Sequence, residues 1–388
     1  MAVSRKQLFI DIFNPLTGEK IATWVNANLN QFVKNINSGL SECIIELPYT
    51  FDYSESDIAE GNDVQISISD KDTTPGTTRI IYSGYISMIE GTISDRKENV
   101  LVHLLGYNTM LANDVLRSGT TTTTITYTSE DIGFVMRDLV EKFNLVNGSK
   151  LNYTILTIPD VGSDITYTFK RTFYKDALDK VRSLAPANYF FYIDENNTVN
   201  FKPRPTTPTH TFILGRHFSA VKAQRGVEKI KNSLLLWNGE PTVGVIYKRY
   251  EDSNSIALYG RRTEVVDDYG VGDAATADML AKNFLDENKE PEIVLTVEIM
   301  DNTENPDGYG YDIESIQPGD TCSFVGFSEE FAGRYLSANM LITSVTYTLD
   351  KVQLTIDPRN IGMIDWQNQT AKNIHEATSD SAPADYTV

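Results

Sequence analysis

The sequence contains few of the side chains on which redox and metal chemistry depend. Only two cysteines and four histidines occur among its 388 residues. Cys43 and Cys322 lie far apart, each in an apolar run that predicts a strand, so we expect buried free thiols rather than a disulfide. No stretch of about 18 apolar residues is present, so the sequence predicts no membrane-spanning segment. The apolar run Leu8-Phe9-Ile10 is interrupted at once by Asp11, so no signal-peptide core is predicted.

Positive charge is also scarce. The 53 acidic residues outnumber the 34 Lys and Arg, which gives a net charge of -19 and a pI near 4.6. A surface this acidic repels phosphate backbones and anionic lipid headgroups, so tight nucleic-acid binding is not expected. Solubility is the simplest explanation of this negative charge. The other interpretation is an acidic channel wall past which DNA slides without sticking.

The sequence predicts no metal site. The four histidines are dispersed along the chain: His103, His210, His217 and His375. None has a second histidine, or a cysteine, at the spacing of metal ligands. The acidic loop from Asp301 to Gly308 has calcium-like side chains, but Pro306 replaces the glycine that a helical calcium loop requires. We therefore interpret this segment as a surface loop.

One segment fits a cofactor motif loosely. Gly270-Val271-Gly272-Asp273-Ala274-Ala275 resembles a dinucleotide fingerprint and opens a predicted helix. However, the Asp273 carboxylate stands where a pyrophosphate would need hydrogen-bond donors. A helix that begins after Asp273 as its N-cap explains the pattern better. The sequence contains neither a phosphate loop nor a Gly-x-Ser-x-Gly elbow. It therefore predicts no catalytic residues and no cofactor-binding residues, and we expect a protein that is not an enzyme.

Carboxylates are abundant enough to keep one enzymatic alternative open, because a glycosidase needs only two of them. The candidate carboxylates for such a site are Glu42, Glu46, Glu55 and Glu60. They are spread over strands and turns, where solvated carboxylates are the default. Tyr82 and Tyr85 illustrate the tyrosines, most of which occupy strand or hairpin positions that favour packing and interface roles. A carbohydrate-active or carbohydrate-binding protein remains the alternative.

Short alternating runs predict a strand-rich first hundred residues. Five runs carry this pattern: Leu8 to Phe13, Cys43 to Leu47, Val64 to Ile68, Ile80 to Met88 and Val100 to Leu105. Five or six such strands are typical of a small barrel or sandwich.

Beyond this region, apolar spacing predicts three amphipathic helices. The first is capped by Ser129, the second runs from Tyr174 to Ala185, and the third runs from Asp273 to Asn288. A hairpin pairs Tyr189–Ile193 with Val199–Phe201 across the turn at 194–197. Three prolines between Pro203 and Pro208 predict a stiff domain boundary.

The order of these motifs resembles that of phage tail hub proteins. The stretches that carry the resemblance are Asp176-Ala177-Leu178, Leu184-Ala185, Tyr192-Ile193-Asp194, Val199 to Pro203, Leu234 to Gly239, Ser255 to Arg262, Ala277 to Pro291, Pro318-Gly319-Asp320 and Ile342 to Thr348. The resemblance as a whole covers nearly the whole chain, about residues 5 to 358. The relatives are the baseplate hub of T-even phages and the N-terminal hub region of siphophage tail-associated proteins.

The resemblance implies a mainly β protein with α+β insertions. It implies two small Tudor-like β-barrel domains plus two α+β domains, assembled as a homotrimeric ring. The implied division is 5–113 for the first barrel, 114–209 for an α+β domain, 210–238 and 312–358 for a split second barrel, 239–311 for an inserted α+β domain, and 359–388 for a polar C-terminal tail.

The implied function is that of a structural hub at the distal tip or baseplate of a phage tail. Such a trimer adapts the sixfold tail tube or distal tail ring to a threefold tip and surrounds the DNA exit channel. Its implied partners are the tail tube or distal tail protein, tip, spike or receptor-binding subunits, and a tape measure protein. DNA would only pass through. The implied location is the virion, after assembly in the host cytoplasm. The alternative becomes a carbohydrate-active or carbohydrate-binding tail protein, either a cell-wall hydrolase or a receptor-binding protein.

Overall fold

The computed structural model describes residues 6–25, 27–48, 59–70, 78–94, 97–117, 123–238, 247–301, 310–337 and 339–357. Among these residues the chain is mainly β, as predicted, with twenty strands and six α-helices. Several predicted features lie outside the described residues: Glu55, His375, most of the 301–308 loop and the 359–388 tail. In the part of the chain that is described, no helix is long and apolar enough to cross a membrane.

The strands are β1 (Lys6–Phe13), β2 (Lys20–Val25), β3 (Asn28–Asn35), β4 (Leu40–Pro48), β5 (Asp63–Asp70), β6 (Thr78–Ser94), β7 (Lys97–Leu105), β8 (Thr124–Asp131), β9 (Asp164–Lys170), β10 (Tyr189–Ile193), β11 (Val199–Pro203), β12 (His210–Ile213), β13 (Val221–Gly226), β14 (Ser233–Trp237), β15 (Tyr247–Glu251), β16 (Thr263–Asp267), β17 (Glu292–Met300), β18 (Thr321–Val325), β19 (Met340–Tyr347) and β20 (Lys351–Asp357). The helices are α1 (Asn108–Leu111), α2 (Ile132–Asn147), α3 (Tyr174–Leu184), α4 (Ser253–Tyr259), α5 (Ala274–Asn288) and α6 (Glu329–Tyr335).

One large sheet organises the molecule. Its first half is antiparallel in the order β3-β4-β7-β6-β5-β1-β2. Its second half runs β13-β17-β20-β19, with β18 beside β19 and β12 beside β18. The halves join where β3 pairs with β19. Among the described strands this pairing forms an open path without a closed barrel. Alternating inward residues from both halves form one apolar core.

All five strands named from the sequence are present in the first half, and β2 and β3 are additional. The sequence missed these two because polar side chains interrupt their apolar alternation. In β2 only Trp24 is buried, while β3 alternates asparagine and glutamine with buried Leu29 and Phe32. Tertiary pairing with neighbouring strands therefore overrides a weak local pattern.

Two strands pair outside the segments in which the sequence analysis placed them. β14 was assigned to the split barrel, yet it pairs with β15 and β16 in a separate three-stranded sheet. β17 was assigned to the insertion, yet it lies between β13 and β20 in the large sheet. β17 belongs to the large sheet because its apolar residues alternate along the strand. Leu295, Val297 and Ile299 all face the core of that sheet. The domain boundaries as a whole stay a proposal.

The helical part has a core of its own. Apolar residues of α2, α3 and α5 pack with the antiparallel pair β8 and β9 and with β11 and β14. The helices predicted at 174–185 and 273–288 are confirmed within one residue at each end. The Ser129 cap is wrong, because Asp131 accepts from the backbone N–H of Gly133 (2.7 Å) and α2 begins after it. Ser129 instead lies in β8.

Candidate functional site

The histidines are held apart by separate polar contacts. His103 on β7 lies between two glutamates of the neighbouring strands, with Nδ1 2.8 Å from Glu42 and Nε2 3.6 Å from Glu90. His210 is buried and contacts Asp320 through Nε2 and the Tyr311 hydroxyl through Nδ1, both at 3.0 Å. The side chains around His103 and those around His210 are therefore different and lie on different strands.

His217 is also buried, and its Nδ1 lies 3.2 Å from the backbone nitrogen of Ile213, from which it accepts a hydrogen bond. Burial, together with the nearby Arg216, lowers the pKa of His217. In the described ranges no group of three or more His, Cys, Asp or Glu side chains could hold a metal ion. These histidines therefore act as packed polar residues within the sheet.

The glycine motif at 270–275 is a packing feature. The Gly272 N–H donates to Thr166 O (3.0 Å), and the Thr168 N–H donates to Gly270 O (2.9 Å). A Cβ on Gly270 would lie 2.3 Å from the Tyr167 ring. Asp273 caps α5 by accepting from the Thr276 N–H (2.7 Å), as predicted. The glycines thus permit a close approach to β9 and use the backbone groups that would otherwise cradle a phosphate.

The described glutamates from the glycosidase alternative are distributed over one sheet. Glu42 and Glu46 lie on the same face of β4, and Glu42 contacts His103. Glu60 is exposed in the turn before β5. This distribution does not form the pair of carboxylates across aromatic walls that would characterise a sugar-cleaving cleft.

The most distinctive constellation lies where the two halves of the sheet meet. Phe32 of β3 and Tyr347 of β19 are paired residues whose rings stack with centroids 4.7 Å apart. The ammonium of Lys34 lies over both rings, 5.2 Å from the Tyr347 centroid. A small pocket, partly open to solvent, borders this point and is also lined by Arg79 and Glu314. We call this region the junction.

Lys34 is the central residue of the junction and is only 4% exposed. Its Nζ donates to Glu195 Oε2 (2.9 Å) and to Gln317 Oε1 (3.1 Å). Burial lowers the pKa of Lys34, and Glu195 raises it again. A single side chain on β3 therefore links the first half of the sheet to the β10–β11 turn and to the segment before β18.

The β10–β11 hairpin is also fixed to the first half of the sheet by hydrogen bonds to its backbone carbonyls. The Asn37 N–H donates to Phe191 O (2.6 Å), and the Ser83 hydroxyl donates to Glu195 O (2.5 Å). Gly39 leaves no room for a Cβ, which would lie 2.9 Å from the Cβ of Ile193. The junction is thus a close-packed meeting point of three chain segments, and its charged groups are used for positioning.

Sequence reasoning did not identify the junction. Phe32 and Lys34 are two residues apart, as expected for one face of a strand, but a lysine at the second position indicates a solvated face. The signal that could have found it is the pairing of Lys34 with Glu195, which are 161 positions apart in the sequence. No local pattern reports such a pair.

The two cysteines are buried and free, as predicted. Burial is the main cause that raises the pKa of both thiols. We expect the native protein to react with Ellman's reagent no faster than it unfolds, because the thiolate is the reactive form. In urea, both thiols of each chain should react. A thiol that is labelled within minutes under native conditions would contradict the buried placement.

Comparison with known proteins gives a fold assignment. No protein-family model matches the sequence, and no curated protein sequence matches it significantly. Among solved structures, the chain is similar to the 43 kDa tail protein of prophage MuSo2 from Shewanella oneidensis, with a TM-score of 0.63, 12% identity and coverage of 90% of this chain and 98% of that one.

Two further tail proteins show the same relationship. The tail protein from Neisseria meningitidis MC58 has a TM-score of 0.62 at 11% identity, with 93% of this chain and 98% of that one covered. The prophage tail protein gp18 from Listeria monocytogenes EGD-e has a TM-score of 0.56 at 12% identity, covering 94% and 98%. The chain therefore has the fold of phage tail proteins over nearly its whole length, which confirms the resemblance noted from its motifs.

Proposed function

We propose that this chain is a structural hub at the distal tip or baseplate of a phage tail. In this proposal it forms a homotrimer that adapts the sixfold tail tube or distal tail ring to a threefold tip. The observation that carries the proposal is the extent of the likeness, since each of the three tail proteins is covered over 98% of its length. A likeness of this extent involves the whole architecture rather than one shared domain.

The large sheet supports this arrangement. It contains two halves of comparable kind, joined edge to edge through β3 and β19. Three copies of a chain with two such halves would present six sheet segments around an axis, which is what a sixfold ring requires of a threefold partner. In the proposal these halves are the two Tudor-like hub domains, and the helical core forms the part below them.

The charge of the chain is consistent with a channel for DNA. A net charge of -19 disfavours adhesion of a phosphate backbone to the protein surface. The proposed partners are therefore proteins: the tail tube or distal tail protein above, and tip, spike or receptor-binding subunits below, with a tape measure protein also in contact. The proposed location is the virion.

The oligomeric state is the most direct test. We expect the purified chain to have a mass three times its 43.5 kDa in multi-angle light scattering after size exclusion. Negative-stain class averages should show a ring with threefold symmetry. A chain that remains monomeric at all accessible concentrations, and that fails to bind a tail-tube or distal-tail partner, would contradict the proposal.

Catalysis is tested separately by zymography on host cell walls. A structural hub should leave the wall material intact. A clearing zone would favour the alternative of a cell-wall hydrolase, and the junction pocket with Glu195 and Glu314 would then be the first place to introduce alanine.

A further inference from the structure

The buried side chain of Lys180 lies in the helical part, where it contacts a carboxylate from another segment of the chain. Its Nζ touches Oδ2 of Asp268, in the turn after β16, and the two side chains are only 9% and 6% exposed. Lysine and aspartate are almost never buried to this degree without a partner. The pair therefore holds an amine and a carboxyl group together, away from most of the solvent.

The contact between these two groups is not a hydrogen bond. Asp268 Oδ2 is buried and has no hydrogen-bond partner among the described residues, although the Lys180 nitrogen touches it. The buried Lys34, by contrast, donates to Glu195 Oε2 at 2.9 Å, as expected for a stable ion pair. An amine that is held against a carboxyl group without a hydrogen bond to it is placed to act as a nucleophile on that group.

The other oxygen of Asp268, Oδ1, accepts two hydrogen bonds. The Tyr167 hydroxyl donates to it at 2.9 Å, and the N–H of Gly270, from the glycine motif, donates to it at 3.1 Å. Burial, and then the charge of Asp268, raises the pKa of Tyr167, so this hydroxyl keeps its proton. Two donors on one carboxyl oxygen are the arrangement by which acyl-transfer sites stabilise the oxyanion of a tetrahedral intermediate.

Both reacting groups are held by ordered parts of the fold. The Asp268 N–H donates to Trp237 O, and the Thr168 N–H donates to Gly270 O, both at 2.9 Å, which fixes the turn to β14 and β9. Lys180 lies within α3, whose neighbouring residues are buried in the helical core. Well-oriented groups within one molecule react with effective molarities of about 10⁵–10⁸ M. This proximity favours an amide over the separate amine and acid.

We propose that Lys180 and Asp268 form an isopeptide bond, between Nζ and Cγ, after the chain has folded. A proton of the ammonium first passes to Oδ2, because burial favours a neutral amine and acid over two charges. Nζ then attacks Cγ, and Oδ1 carries the negative charge of the intermediate. The Cγ–Oδ2 bond breaks, and Oδ2 leaves as water with a second proton from Nζ. The products are one amide and one water, so no other reagent is consumed.

The bond would cross-link two segments of the helical part. Lys180 belongs to the 114–209 segment and Asp268 to the 239–311 segment, so the amide closes a covalent loop between them. A cross-link of this kind stabilises a fold mainly by restricting the unfolded chain. The inference depends neither on the oligomeric state nor on the place of the chain in a virion, so its test is independent of the proposed function.

Intact mass spectrometry of the purified chain tests the proposal directly. We expect a mass below that of the sequence by one water, about 18 Da, and a branched tryptic peptide that contains both Lys180 and Asp268. Lys180→Arg keeps the positive charge but cannot form the amide, so its mass should equal that of its sequence. The matched control is Lys175→Arg on the same helix, whose lysine pairs with Asp179 at 2.5 Å, and this variant should still lose one water. A wild-type chain of full sequence mass would show that Lys180 and Asp268 form only an ion pair.

The rate of bond formation tests the role of Tyr167. Tyr167→Phe removes one of the two donors to Oδ1 and should slow the loss of water by about 10²–10³-fold, the usual effect of removing one oxyanion donor. Mass spectra of samples taken at intervals during cell-free synthesis would give the two rates, and urea denaturation would show that the variant folds. A folded Tyr167→Phe chain that loses water as fast as the wild type would contradict the role assigned to the hydroxyl. A lost water that maps to residues other than Lys180 and Asp268 would overturn the proposal.

Discussion

Replacing Glu287 with alanine is expected to lower the free energy of unfolding by about 3–5 kcal/mol, because it leaves a buried guanidinium without its counter-ion. Glu287 on α5 forms an ion pair with Arg182 on α3 at 2.6 Å, and both side chains are at most 5% exposed. The Arg182 Nε also donates to Tyr189 O (3.3 Å). Chemical denaturation in urea would measure the loss as a lower midpoint at unchanged slope.

The chain offers a matched control in Glu298→Ala. Glu298 pairs with Lys351 at 2.9 Å, but the two side chains are 52% and 46% exposed. Solvent screens such a pair, so its removal should cost about 1 kcal/mol or less. Equal losses for the two alanine variants would show that burial of the Arg182–Glu287 pair does not set its contribution.

The large expected effect follows from where the pair lies. It joins α3, from the 114–209 segment, to α5, from the 239–311 segment. A second buried pair joins the same segments, with Lys180 against Asp268, whose carboxylate also accepts from the Tyr167 hydroxyl (2.9 Å). Asn283 adds a bond from its side-chain amide to Ala185 O (2.5 Å) at the end of α3. The helices of the two α+β segments therefore share one core.

The shared core makes the helical part a single body, which limits how its segments can move in the proposed hub. Two domains joined only by linkers would move independently, whereas buried polar links with fixed geometry hold the orientation of one segment relative to the other. The β10–β11 hairpin belongs to this body and enters the junction, where it bonds to Asn37 and Ser83 of the first half and packs Phe190 against Leu341 of the second. In the proposed hub, the helical part would thereby hold the two halves of the sheet at a fixed relation.

The sequence predicted those parts of the fold that have local signals. Helical spacing located α3 and α5 to within a residue, and the Asp273 cap was correct because the side chain and its target are three positions apart. For α2 the helix was located correctly, but its cap is Asp131 and not Ser129. Asp131 is the cap because its carboxylate also accepts from the Gly162 N–H (2.7 Å), which is a tertiary contact.

The parts that were missed depend on contacts between distant segments. β17 follows α5 directly, and only its pairing with β13 and β20 shows that it belongs to the large sheet. The sequence pattern indicates that Lys34 is a surface residue. In the structure its ammonium is buried and donates to Glu195 and Gln317. In both cases a strand partner or counter-ion far along the chain decides the role of the residue, and local periodicity carries no information about that partner.

The Lys34 contact gives the second large effect. Replacing Glu195 with alanine should destabilise the fold by about 3–5 kcal/mol near neutral pH, because the buried ammonium of Lys34 loses its counter-ion. The side-chain amide of Gln317 still accepts one hydrogen bond at 3.1 Å, but an amide does not compensate the charge. The Glu195→Gln variant is the matched control for size, and it should also be destabilised because it retains the shape of the side chain without its charge.

The loss should depend on pH in a definite direction. Burial already holds the pKa of Lys34 below its ordinary value of 10.5, and Glu195 is the main group that raises it. Without Glu195, the folded pKa falls further, so between that pKa and 10.5 the unfolded chain binds more protons than the folded one. The free energy of unfolding of Glu195→Ala therefore rises with pH across this window. Urea midpoints measured from pH 7 to 10 should therefore converge for Glu195→Ala and wild type, and a difference that stays constant would show that Lys34 is not the residue responsible.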